Sequence, residues 1–351
     1  MAIPLLHNIK HIAVIRLSAM GDVAMTVPVL RALAKQHPEL KITMVSRPFY
    51  KPFFDEIPNL DFLAFDAKGK HKGFFGLLKL FLELKALHID AFADLHDVLR
   101  SKIIRNLFAL SAIKTAAVDK GKSEKSALTR TKNKIFKPLT PMAQRHLKVF
   151  ETLGFATDLS KPEFPLAKDL SPEVLEITEP KSGFKWIGIA PFAQHDSKVY
   201  HVDLMQQTIA LLARGRNHKI FLFGGGKSEI EILNNFSKDF ENVIVIAGKI
   251  TFEQELQLIS NLDVMLSMDS GNAHIAANYG IPTITLWGAT HPFAGFAPFG
   301  QAQENALVSD REHYPKLPTS VYGNKYVEGY EDVMRTILPE TIVEKIKTIL
   351  K

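Results

Sequence analysis

Val264-Met265-Leu266-Ser267-Met268-Asp269-Ser270-Gly271-Asn272-Ala273-His274 is the stretch whose reading decides the fold. Its apolar first half reads as a buried strand, and the polar turn after it opens into a helix that continues over the small residues 275–277. Asp269 or Ser270 is suited to N-cap that helix, Asn278-Tyr279-Gly280 closes it, and 283–287 is a further strand. Gly271 lets another molecule approach the backbone, and the free N–H groups of such a helix start form a ready anion site. An ordinary capped crossover helix would carry the same signature, so the rest of the chain has to decide between the two.

Outward from this stretch the same alternation repeats, which argues for parallel sheets covered by helices on both faces. Upstream lie strands over 185–190, 219–223 and 243–247, with helices over 203–214 and 227–240. A further helix is opened by Thr251 with Gln254 three residues on, a capping-box spacing. The first half alternates in the same way, with strands over 11–15, 41–46, 62–65 and 91–95. A glycine turn at 18–22 leads into a helix through about 35, in which Pro28 is tolerated only in a first turn. Helices over 99–110 and 146–153 complete this half. The helix over 74–87 is apolar nearly all round, so it is buried, paired with a partner or laid on a membrane, and burial is the commoner outcome for a crossover helix. Pro162, Pro165, Pro172 and Pro180 mark 160–183 as an interdomain linker. With 351 residues, two α/β domains are expected, 1–170 and 171–351, the last helix covering 339–350.

The composition, 46% hydrophobic and 23% charged, is that of a soluble globular protein. Without cysteine there are no disulfides, thiolate metal sites or cysteine nucleophiles. No apolar run near residues 1–10 is long enough for a signal peptide, and no uncharged stretch is long enough to span a bilayer, so a cytoplasmic protein is the default. The net charge of +6 is concentrated. Eight basic residues (Lys114, Lys120, Lys122, Lys125, Arg130, Lys132, Lys134 and Lys137) face only Asp119 and Glu124. This window reads either as a solvated, mobile loop or as a contact for phosphorylated lipid headgroups. Nucleic acid is disfavoured as a partner, because the window 114–137 offers no series of aromatic side chains on which bases could stack, Phe136 being its single one.

Two glycine motifs fail as nucleotide loops. Gly226-Lys227-Ser228 has Phe221, and Gly121-Lys122-Ser123 has Ala116, where the phosphate-loop pattern needs glycine. The dinucleotide fingerprint is also missing, which disfavours a nucleotide-sugar epimerase or dehydrogenase. The turn 224–226 still lies at the carboxyl end of a strand, where open α/β sheets bind ligands. Asp22, after the first strand, is either a helix-stabilising acid or a base for a substrate hydroxyl. Lys198, after the first strand of the second half, is either a surface lysine or a point charge on a phosphate. Asp94-Leu95-His96-Asp97 is the nearest imitation of a metal cluster and reads better as a strand end with capping acids.

Together, Ser18-Ala19-Met20-Gly21-Asp22, Lys198, and Asp269-Ser270-Gly271 with His274 and Gly280-Ile281-Pro282 resemble the ADP-heptose:lipopolysaccharide heptosyltransferases of glycosyltransferase family 9. The resemblance implies a GT-B architecture, two Rossmann-like doubly wound domains facing across a cleft, with the acceptor on the N-terminal domain and the nucleotide sugar on the C-terminal one. The final helix is then expected to pack back on the N-terminal domain. Asp22 matches the catalytic base, and Lys198, Asp269, Ser270, Gly271 and His274 match donor-binding positions. Glu229 resembles the acid that holds the ribose. Ser18, Met20, Gly21 and His146 fall on the acceptor side. The implied reaction is inverting and metal-independent, with ADP-heptose as donor substrate, no cofactor, and a lipid-linked, phosphorylated saccharide acceptor at the cytoplasmic face of the inner membrane. A different nucleotide sugar, or a non-catalytic sugar-nucleotide binder, is the alternative, although a binder would not need Asp22. Many members have Thr where this chain has Ser270, an apolar residue where it has Asn272, and Lys-x-Trp-Pro where it has Lys198-Val199-Tyr200-His201. The last difference is expected to touch the donor pocket.

Overall fold

The computed structural model describes residues 9–215 and 217–351, so most of the segment in which no signal peptide is expected lies outside the described residues. The chain sorts into two compact units: residues up to 120 with 142–163, and 121–141 with 164–351. A single boundary near 170 was expected. Instead the backbone contributes 121–141 to the second unit before it completes the first.

The first unit is built on five parallel strands, β1 (His11–Ile15), β2 (Lys41–Ser46), β3 (Leu60–Ala64), β4 (Ala91–Asp94) and β5 (Lys114–Ala117), in the order β3-β2-β1-β4-β5. β1 is buried at every position, as a central strand covered on both faces must be. The helix expected after it is two helices, Met20–Ala24 and Val27–Gln36, and Pro28 does sit in a first turn, that of the second. The helix Gly73–Ala86 is only half buried. Leu77, Leu80, Phe81 and Leu84 join the core with Phe92 and Phe108, while Phe74, Phe75 and Leu82 are exposed.

The second unit has six parallel strands, β6 (Lys185–Ala190), β7 (His218–Leu222), β8 (Val243–Val245), β9 (Val264–Met268), β10 (Thr283–Trp287) and β11 (Ala306–Val308), in the order β11-β10-β9-β6-β7-β8. The capping box of the helix Phe252–Ser260 forms as read, Thr251 Oγ1 accepting from Gln254 N–H and Gln254 Oε1 from Thr251 N–H. The final helix, Pro339–Leu350, packs on the helix Val202–Ala213. Its Ile342, Val343 and Ile346 belong to the core of the second unit. Its apolar face is therefore buried within the second unit.

Strand order reverses between β1 and β4 in one unit and between β6 and β9 in the other. In a doubly wound sheet the loops diverge at such a point, leaving a crevice at the carboxyl ends of the strands.

Candidate functional site

In the second unit the switch point is framed by the loops after β6 and β9. Neither candidate cap behaves as expected. Ser270 occupies the cap position in extended conformation without bonding the helix, and its Oγ lies 3.0 Å from Ser267 Oγ. Asp269 is buried and turned to other partners, Oδ2 accepting from Thr290 Oγ1 at 2.9 Å and pairing with Lys198 Nζ at 2.9 Å. The helix Gly271–Asn278 thus starts with no side-chain cap, so its first N–H groups and dipole are left for a ligand. His274 is buried one turn along.

Lys198 ends a single 3-10 turn, Asp196–Lys198, and its stem is clamped. Gly323 packs so closely that a Cβ there would come within 2.5 Å of Lys198 Cδ, and Ser197 Oγ donates to Gly323 O at 2.6 Å. At φ +81° that backbone also favours glycine for its own conformation. Asp269 and Gly323 therefore fix both ends of the lysine. After β7, Glu229 Oε2 accepts from Gly225 N–H at 2.7 Å, so the candidate ribose acid closes the glycine turn at the start of the helix Lys227–Ser237.

Tyr200 departs from the expectation that it touches the donor pocket. It is 1% exposed in the core, and its hydroxyl donates to Ile337 O at 2.5 Å. Burial pushes the phenol above its ordinary range.

The first unit frames its own switch point with Asp22 and His96. Ser18 lies in the turn after β1, and Met20, Gly21 and Asp22 form the first turn of the helix Met20–Ala24, all of them half-buried. Arg16, unremarked in the sequence, organises that turn. Its Nη2 pairs with Asp22 Oδ2 at 2.6 Å, Nε donates to Ser18 O, and Nη1 donates to Leu95 O beyond β4. Asp22 Oδ2 also accepts from Ala19 N–H at 3.2 Å, so the capping reading holds alongside any chemical one. His96 Nδ1 faces Leu17 N–H, and burial with the nearby Arg16 and Lys120 holds its pKa down to about 3, so the ring is neutral at physiological pH. Asp94 accepts from His96 and Asp97 N–H and pairs with Arg105, the strand-end role its sequence suggested. His146, expected on the acceptor side, is fully buried within the helix Met142–Leu153 and presents no surface to a ligand.

Two residues of the basic window, Lys134 and Lys125, are built into the second unit. Lys134 Nζ donates to the carbonyls of Leu128, Lys316 and Pro318. Lys125 is buried over the ring of Phe296, 4.2 Å from its centroid. Nothing in the local sequence revealed Phe296, Lys316 or Pro318, which lie far along the chain.

Comparison with known proteins agrees with this architecture. The profile described as "Glycosyltransferase family 9 (heptosyltransferase)" matches residues 77–326. A lipopolysaccharide core heptosyltransferase from Haemophilus influenzae, OpsX, is 25% identical over 288 residues, 81% of this chain and 80% of that protein. Among solved structures, a family 9 glycosyl transferase from Veillonella parvula superposes with a TM-score of 0.74 at 21% identity, covering 97% of each chain. The E. coli heptosyltransferase WaaC with ADP gives 0.68 at 18% identity, covering 97% of this chain and 99% of that one. The two parallel α/β units are those of a GT-B fold.

Proposed function

The chain belongs to glycosyltransferase family 9, and from that premise we propose that it transfers a heptose, or a closely related sugar, from ADP-heptose to a lipopolysaccharide core acceptor with inversion at the anomeric carbon. The observation that carries this reading is Lys198, clamped by Asp269 and Gly323 beside the uncapped start of the helix Gly271–Asn278. A diphosphate leaving an anomeric carbon gains negative charge, and a fixed ammonium with a row of backbone N–H groups stabilises that charge without reorganising. These groups fill the role a divalent cation plays elsewhere, so the reaction is metal-independent. In the first unit, Asp22 accepts the proton of the acceptor hydroxyl as it attacks. Arg16 holds the carboxylate in place.

The acceptor is a lipid-linked, phosphorylated saccharide met at the cytoplasmic face of the inner membrane. Phe74, Phe75 and Leu82, exposed on the helix Gly73–Ala86 beside Lys79 and Lys85, support contact with an anionic bilayer. No described helix is long and apolar enough to cross a membrane.

A thermal-shift screen of ADP-, GDP-, UDP- and dTDP-linked sugars is expected to single out ADP-heptose, and selective stabilisation by another nucleotide would replace the donor. Turnover is expected to persist in EDTA. An absolute requirement for added divalent cation would sink the metal-independent mechanism.

A further inference from the structure

Beyond the carboxyl ends of β10 and β11, at the edge of the second sheet, lies a cavity of about 420 Å³ whose lining includes Phe136, His291, Gln303, Ser309, Asp310 and Arg311. Three cationic or proton-donating side chains meet there. His291 is 6% exposed, and its Nδ1 accepts from Phe293 N–H at 3.1 Å, which leaves the ring proton on Nε2. That Nε2–H makes no hydrogen bond to a described residue and is not among the fully buried unpartnered atoms, so it is open to the cavity. Burial, with Arg311 and Lys134 close by, holds the ring's pKa down to about 4, so it is a neutral donor.

Arg311 Cζ stands over the Phe136 ring, 3.4 Å from its centroid, and Nε donates to Leu317 O. Among the described residues its two terminal nitrogens have no hydrogen bond or ion pair. Lys134 stands behind with all three donors used on backbone carbonyls, so it contributes charge but no hydrogen bond. The one acid in the lining, Asp310, turns Oδ1 onto Glu312 N–H.

We propose that this cavity is an anion-binding site for a phosphate monoester or carboxylate, distinct from the donor subsite at the β6–β9 switch point. The stacked guanidinium offers two parallel N–H groups to an oxyanion, the geometry in which arginine binds most strongly. His291 Nε2–H supplies a third donor, and the Lys134 charge, near enough to act on His291, adds to the local positive potential. A bound anion would accept from His291 Nε2–H and the Arg311 terminal nitrogens, which make no hydrogen bond to a described residue.

The test follows the His291 ring by NMR in the full chain, its signals assigned with His291→Gln. Titrations use inorganic phosphate and glucuronate in a Lys198→Ala background, which weakens phosphate binding at the donor subsite. Phosphate or glucuronate is expected to move the His291 signals, and Arg311→Met is expected to weaken that binding about tenfold or more. Should Arg311→Met not fold, Arg311→Lys keeps the charge, loses the fork and gives a smaller loss. Signals that neither anion moves, or that move with equal affinity in the Arg311 variants, would overturn the site. A phosphorylated saccharide that competes with inorganic phosphate assigns the site to a ligand-borne group. Failure to compete assigns it to the free anion.

Discussion

Each sheet places an ion pair at its switch point, and the two pairs have opposite polarity. In the first unit Asp22 is the open partner, its side chain 31% exposed against 7% for Arg16. In the second, Lys198 at 15% is more open than Asp269 at 8%. The buried partner is in each case the one tied to neighbouring structure, Arg16 through Ser18 O and Leu95 O, Asp269 through Thr290. One topology thus presents an anion in one unit and a cation in the other, the first suited to take a proton and the second to hold a phosphate.

The sharpest way to break this contrast is to remove the open charge on each side. Asp22→Asn keeps the shape and loses the base, so turnover is expected to fall by about 10²–10⁴-fold with donor affinity unchanged. Near-normal kcat in that variant would return Asp22 to a capping role. Lys198→Ala should do the reverse, weakening donor binding by about 1.5–3 kcal/mol, or roughly 10–150-fold in Kd by calorimetry. If both variants lost the same parameter, the division of labour between the units would be wrong.

A smaller effect is read through pH. His96, next to the Arg16–Asp22 pair, has its pKa held down to about 3 in the folded chain against an ordinary 6.5. Below pH 6.5 the unfolded chain therefore binds a proton that the folded chain refuses until about pH 3, and stability falls as pH drops through that window. By pH 5 this amounts to about 2 kcal/mol, from 1.5 units at 1.36 kcal/mol each. His291 in the second unit, held down to about 4, adds a penalty of the same sign. His96→Asn is expected to flatten the dependence of chemical-denaturation stability on pH between 6.5 and 5, and an unchanged slope would remove His96 as its source.

The fold was legible wherever strands are central and apolar. β1, β4, β6, β9 and β10 were read to within a residue, because a strand covered on both faces must be a hydrophobic run. The short edge strands β5 and β11 were missed, since Lys-Thr-Ala-Ala and Ala-Leu-Val carry too little pattern. The open charges Asp22 and Lys198 were legible because each follows a strand end. Their supports were not. Arg16, Thr290 and Gly323 act through partners 6, 21 and 125 positions away, and spacing of that kind exists only in the fold. The window 114–137 stayed open between a solvated loop and an anionic contact for the same reason, since Phe296, Lys316 and Pro318, which anchor Lys125 and Lys134 within the second unit, lie far along the chain.

Tyr200 gives the smallest effect and the cleanest check on how the cation is held. It stands two residues after Lys198, where many family members carry tryptophan, and its place in the core makes that difference one of packing. Tyr200→Phe removes the hydroxyl from Ile337 O and leaves a buried carbonyl without that partner, so a loss of about 1–2 kcal/mol in unfolding free energy is expected. Donor affinity should not move, because the clamp on Lys198 is made by Asp269 and Gly323 and does not use the phenol. A Tyr200→Phe variant with native stability and weakened donor binding would mean that the tyrosine side chain reaches the ligand, and the core assignment would fail with it.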